Sequence, residues 1–175
     1  MRRAIWFAAV LSLMPVSLTL AGVPAPRVLV RSLAALPTPL PFPYDEKASA
    51  EAAVNAAFER AKKSGKRVLV DFGGNWCPDC RILAGVMDLP AVKSFVETHY
   101  EVAAVDVGYF NRNLPVVNRM GVQKLRGVPT VVIADAAGCL VNVTNSAELA
   151  NVRAMTPQGI ADWLARWAEP VRPPR

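Results

Sequence analysis

Two cysteines three positions apart, Cys77 and Cys80, follow an apolar run at 68–72 (Val-Leu-Val-Asp-Phe) and the breakers Gly73, Gly74 and Asn75. The β-branched run reads as a buried strand, and the pair beyond the break opens a helix. A helix start directs unpaired N–H groups and the positive end of its dipole at Cys77, which favours a thiolate there and makes Cys77 the candidate nucleophile. Cys80 lies nearly one turn further on, within bonding reach of Cys77 and better shielded, and is the candidate resolving thiol. The two residues between them tune the chemistry. Pro78 removes an N–H that the first turn does not use, while Asp79 sets a negative charge near the Cys77 thiolate. A disfavoured thiolate means a less stable reduced pair and a stronger reductant, which argues against an oxidant that introduces disulfides.

Other uses of a Cys-x-x-Cys pair fail on inventory. A tetrahedral zinc site needs four ligands, and only Cys139 and His99 remain to complete one. Covalent c-type haem requires His directly after the second cysteine, where this chain has Arg81. No metal ligand set is therefore assigned. The alternative from another class is a soft-metal carrier that holds Cu(I) on the same pair, but such carriers bring His or Met close by, and the nearest here is Met87.

Val70-Asp71-Phe72, then Trp76-Cys77-x-x-Cys80-Arg81, then Gly127-Val128-Pro129-Thr130 together resemble the thioredoxin family over roughly residues 45–167. The resemblance implies an α/β thioredoxin fold, a central mixed β-sheet flanked by helices on both faces, with no cofactor beyond a redox-active Cys77–Cys80 disulfide. It implies that Asp71 lies buried beneath the cysteines; an unpartnered carboxylate in an apolar run titrates high, which suits a proton acceptor for Cys80. The alternative is a strand-end Asp facing solvent. It also implies that Pro129 is the family's cis-proline, with Val128 offering its backbone to an extended substrate; without the resemblance, a trans proline opening an edge strand is the default. Trp76 is expected to pack on the motif and shape the contact surface, or else to be plain core. The Cys-Pro-Asp-Cys centre departs from the Cys-Gly-Pro-Cys of general thioredoxins, which counts against broad protein-disulfide reductase activity.

The whole chain has to position these residues. Its 175 residues, 53% hydrophobic, allow one domain with a sizeable core. All 14 acidic residues and 14 of the 20 basic ones fall in 45–169, so the net charge of +6 belongs to Arg2, Arg3, Arg27, Arg31, Arg172 and Arg175 at the ends. A near-neutral domain offers no basic face for nucleic acid. Residues 1–21 carry Arg2 and Arg3, an apolar run and small residues at its end, the pattern of a secretory signal peptide; an uncleaved membrane anchor is the alternative. Val23 stands where a lipoprotein would need its lipidated cysteine, which excludes a lipid anchor there. Residues 22–44 hold six prolines and read as a semi-rigid linker or a disordered tail, ahead of a thioredoxin-like domain at 45–169 and a tail at 170–175.

Within the domain the first helix is expected from a cap at Asp45 to Ser64, with Gly65 as its stop. A helix follows Asp88 and Pro90 and buries Val92, Phe95 and Val96; a strand covers 102–107, and a helix 113–120 takes Pro115 in its first turn. Strands at 128–134 and 140–144 flank the turn at Asp135 to Gly138. In the last helix Thr156 caps, Pro157 opens, Ile160, Trp163, Leu164 and Trp167 share a face, and Pro170 ends it. Residues 123–125 and 145–155 are insertions relative to a minimal thioredoxin, either bordering the active face or neutral. Cys139 is expected to be an unpaired, partly buried thiol, with a third redox cysteine as the alternative, and His99 to close the helix after Val96. The reading is an exported, periplasmic or envelope thiol:disulfide oxidoreductase that works mainly as a reductant. Its partners are a disulfide-bearing protein or small-thiol substrate and an electron-donating thiol oxidoreductase, with membrane contact only if the N-terminal segment is uncleaved.

Overall fold

The computed structural model describes residues 22–168, so the expected signal segment at 1–21, the tail at 170–175 and the stop at Pro170 lie outside the described residues. The sheet is built on β1 (Arg67–Gly73), buried from residue 68 onward as its unbroken apolar run requires. β2 (Tyr100–Asp106) pairs with it in parallel and β3 (Thr130–Ala134) antiparallel, in the order β2-β1-β3. Asp71 therefore sits mid-strand, opposite Ala104 on one side and Val131 on the other.

The pleat divides the core into two layers. Val68, Val70 and Phe72 join α1 (Ala50–Ser64) and α4 (Leu114–Arg119) on one face. Leu69, Val131 and Ile133 join α2 (Pro78–Met87), α3 (Pro90–His99) and α5 (Pro157–Arg166) on the other. The fold is thus α/β, a mixed sheet with helices on both faces. α5 has the expected start: the Thr156 hydroxyl accepts from the Gly159 N–H at 3.0 Å, and Ile160, Trp163 and Leu164 are buried.

Local chemistry shifts several boundaries. Ser49, not Asp45, caps α1 through its hydroxyl and the Ala52 N–H. The Asp45 carboxylate instead accepts from the Lys47 N–H and turns the chain, delaying the helix. Gly65 does end α1, at φ 72°, where its N–H reaches the Ala61 carbonyl. Asp88 closes α2, so α3 starts only at Pro90. The expected strand at 140–144 is corrected to a single bridge between Ala134 and Leu140. Beyond Val141 the buried Asn142 side chain takes over the strand's work: its Oδ1 accepts from the Ile133 N–H at 2.7 Å, and its Nδ2 donates to the Val131 carbonyl at 2.9 Å. A 3₁₀ turn, Val143–Asn145, follows at once.

The largest correction concerns residues 22–44, which are neither spacer nor loose tail. Leu36 is buried against the α2/α3/α5 layer, with Val28, Val30 and Leu33 packed beside it. Gln158 on α5 clamps the segment, accepting from the Val28 N–H at 2.8 Å and donating to the Pro26 carbonyl at 3.1 Å. Arg81 on α2 donates to the carbonyls of Leu40 and Pro41 and lays its guanidinium over the Phe42 ring at 3.9 Å. Prolines that deny donors suit a strap held by side chains rather than by a sheet ladder.

Replacing Asn142 by Ala strands the Ile133 N–H and takes one partner from the Val131 carbonyl. An unsatisfied buried group costs about 1–3 kcal/mol, so urea unfolding should show a loss of roughly 2–4 kcal/mol. A loss below about 0.5 kcal/mol would show that water or backbone repairs the site.

Candidate active site

The break after β1 places the first cysteine at a helix start. Cys77 is the N-cap of α2 and Pro78 its first helical residue. The Cys77 sulfur accepts from the Cys80 N–H at 3.4 Å and faces the Val128 carbonyl oxygen, also at 3.4 Å, as a donor. Both cysteines are buried free thiols. The Val128–Pro129 peptide bond is cis. Val128 thus brings a backbone carbonyl directly to the Cys77 sulfur from a segment fifty-one residues away in sequence.

Beneath the pair lies Asp71, 4% exposed. Burial drives its pKa up to about 7, against the opposing pull of a hydrogen bond from Tyr44. Burial and the neighbouring Asp71 likewise push the Cys80 thiol far up. Tyr44, the last residue of the strap, donates its hydroxyl to Asp71 Oδ2 at 2.8 Å, and Asp71 Oδ1 has no hydrogen-bond partner among the described residues. Gly73 permits this arrangement: a Cβ there would lie 2.2 Å from the Tyr44 hydroxyl and 2.7 Å from the Cys80 sulfur. Asn75, beyond a strand break, also holds the strap. Its Oδ1 accepts from the Tyr44 N–H at 3.2 Å, and its Nδ2 donates to the Tyr44 carbonyl at 2.7 Å.

Asp79 does not present a bare charge to Cys77, and that expectation is corrected. Its buried carboxylate turns to Arg153, which binds it through the guanidinium Nε at 3.0 Å to each oxygen, through Nη2, and through its backbone N–H at 3.1 Å. Arg153 lies in the 3₁₀ segment Glu148–Ala154, so residues 145–155 do border the active face. Trp76 is 41% exposed beside the pair; its indole donates to the Gly108 carbonyl and its ring stacks on Tyr109 at 4.8 Å, with Phe110 edge-on. Leu125 packs on the core while Gln123 and Lys124 are exposed. Cys139 is exposed rather than partly buried, because the turn at Asp135 holds it outward through its N–H. His99 is the last residue of α3, its ring tilted against that of Phe95 at 4.5 Å. Met87 is the last helical residue of α2, roughly 10 Å along the axis from Cys80.

Sequence reasoning missed Tyr44, Asn75 and Arg153. A tyrosine closing a proline-rich stretch is the one local hint, since a solvated spacer has no use for a large aromatic ring.

The pattern of the thioredoxin-like family matches residues 49–136, just over half of the chain. The chain belongs to this family. A thioredoxin from Alicyclobacillus acidocaldarius subsp. acidocaldarius is 29% identical over 79 residues, which cover 45% of this chain and 68% of that protein. Among solved structures, the disulphide isomerase from Xylella fastidiosa Temecula1 is 38% identical with a TM-score of 0.69, covering 73% of this chain and 97% of that one. This thioredoxin-like chain is accordingly a thiol-disulfide oxidoreductase, and members of the family act on disulfide-bearing substrates.

The buried acid makes stability depend on pH with a definite sign. Between the unfolded carboxyl value, about 3.9, and the folded value near 7, the native chain binds a proton that the unfolded chain has lost, so stability falls as pH rises through this window and then levels. Asp71→Asn cannot ionise. It should be more stable than the parent at pH 8, by up to roughly 4 kcal/mol, with the gain fading towards pH 4. Thermal melts of both proteins across pH 4–8 measure this, and a pH-independent difference would contradict it.

Proposed function

We propose that this chain reduces disulfides outside the cytoplasm, with Cys77 as nucleophile and Cys80 as resolving thiol. The Cys77 thiolate attacks one substrate sulfur, the substrate disulfide breaks, and the leaving thiolate takes a proton. Cys80 then passes its proton to Asp71 and attacks the Cys77 sulfur of the mixed disulfide, which releases the second substrate thiol and closes Cys77–Cys80. An electron-donating dithiol partner restores the reduced pair.

The environment of Cys80 supports the reductant direction. Strong oxidants owe their potential to a stabilised reduced form. Here burial and Asp71 act against a Cys80 thiolate, and the Cys77 sulfur meets a carbonyl and one long N–H bond. Among the described residues the ion pair at the motif is Asp79 with Arg153, and the Arg153 charge also reaches Cys77. The pairing removes the sequence argument from an uncompensated Asp79, and the reductant reading is supported by the Cys80 environment alone. Val128 supports recognition of an extended substrate through backbone groups, and the exposed Trp76 ring, directly before Cys77 in the chain, suits a contact surface. The charged start, apolar run and small residues of 1–21 support export to the periplasm or envelope.

A second reading, disulfide isomerisation, is favoured by the 38% identity to a protein described as a disulphide isomerase. One pair of variants separates the two. Under the reductase reading, Cys80→Ser traps mixed disulfides and loses net reduction, while Cys77→Ser traps none; non-reducing gels and a protein-disulfide reduction assay read both. Isomerisation of a scrambled protein that survives Cys80→Ser would favour the second reading, and equal trapping by both variants would overturn the nucleophile assignment.

A further inference from the structure

We propose that Tyr44 is a positioning residue for the redox pair: its hydroxyl fixes the Asp71 carboxyl group under Cys80 and sets the pH range over which that group can take the Cys80 proton. This rests on the reading above in which Asp71 receives that proton.

The contacts are specific. The Tyr44 hydroxyl donates to Asp71 Oδ2 at 2.8 Å, both groups being buried, and it crowds the same point above Gly73 as the Cys80 sulfur. The titratable groups facing the hydroxyl are Asp71 from β1 and Cys80 from α2. Across the sheet Asp71 meets only Ala104 and Val131. On its open side lies a cleft of about 290 Å³ roofed by the strap prolines Pro41 and Pro43, where the other acid, Asp88, is paired with Lys93 at 3.6 Å. Among the described residues the Tyr44 hydrogen bond is therefore the one polar contact that favours the ionised carboxylate, set against burial that opposes it.

Proton transfer moves the negative charge from the carboxylate to the Cys80 sulfur. The hydroxyl, close to both, can donate to whichever carries the charge, so neither end of the transfer is left unpartnered. When the Cys80 sulfur bonds to Cys77 and the substrate thiolate leaves, the proton rests on Asp71 and departs to water. The strap that carries Tyr44 is fastened by Asn75 and Arg81, both from the cysteine segment itself, so the part of the chain that does the chemistry also holds its own positioning residue.

Tyr44→Phe keeps the ring and deletes the donor. In the purified protein, the Asp71 carboxyl carbon followed by 13C NMR should titrate about one pH unit or more higher than in the parent. Single-turnover release of substrate from the mixed disulfide should be roughly tenfold slower at pH 7, with the rate recovering at pH 9. Asn75→Ala, which loosens Tyr44 but leaves the hydroxyl, should move the titration the same way by less. An unchanged Asp71 inflection in folded Tyr44→Phe overturns the inference, whether or not either protein reduces disulfides. A shifted inflection in a chain that reduces nothing upholds the hold of Tyr44 on Asp71 and overturns only the reductase reading.

Discussion

Asp71 is buried at the middle of the central strand, between Ala104 and Val131, where a carboxylate loses its hydration and gains no countercharge among the described residues. Such a group persists only if its neighbours are arranged around it. The arrangement explains residues that otherwise look unrelated. Gly73 is bare because a side chain there would collide with the Tyr44 hydroxyl and the Cys80 sulfur. Asn75 breaks the strand and clamps Tyr44 with two hydrogen bonds. Arg81, next to Cys80, holds the strap by its carbonyls. The proposed proton transfer gives the buried acid a use, since it calls for a carboxyl group able to change protonation near neutrality.

The strap changes what counts as the domain. Residues 22–44 are a wall of the active site and part of the α2/α3/α5 core, attached at one end by Gln158 and at the other by Arg81 and Asn75. The Asp79–Arg153 pair does the same on the other side of α2, tying the segment Glu148–Ala154 to the start of the helix that carries the cysteines. Thioredoxin-like folds place a redox pair at a helix start. In this chain two peripheral segments fix that helix start from opposite sides.

What the sequence made legible was local. Cys77 at a helix N-terminus, Pro78 behind it, Gly65 as a stop and the Thr156-Pro157 start of α5 depend on neighbours within four residues, and each is where its chemistry puts it. Asp71 was legible as a buried acid because the run around it is apolar. The contacts that compensate it were not, since Tyr44 meets Asp71 across 27 positions and Arg153 meets Asp79 across 74, and no periodicity encodes such a pairing. The expected strand at 140–144 failed for a related reason. Asn142 supplies with its side chain the bonds that a strand would supply with backbone, a substitution that pattern reading takes for a polar position on an edge.

An acid that accepts the Cys80 proton during reduction returns it during oxidation, so the role proposed for Asp71 serves both directions and the balance between them lies in the relative stability of dithiol and disulfide. The reduction potential of the Cys77–Cys80 pair, measured in the purified protein against a glutathione or dithiothreitol series, is the most direct test of the account. A dithiol with no cationic hydrogen-bond donor on either sulfur among the described residues should lie near the thioredoxin value of about −270 mV. A value near about −120 mV, that of a strong disulfide-forming oxidant, would contradict it.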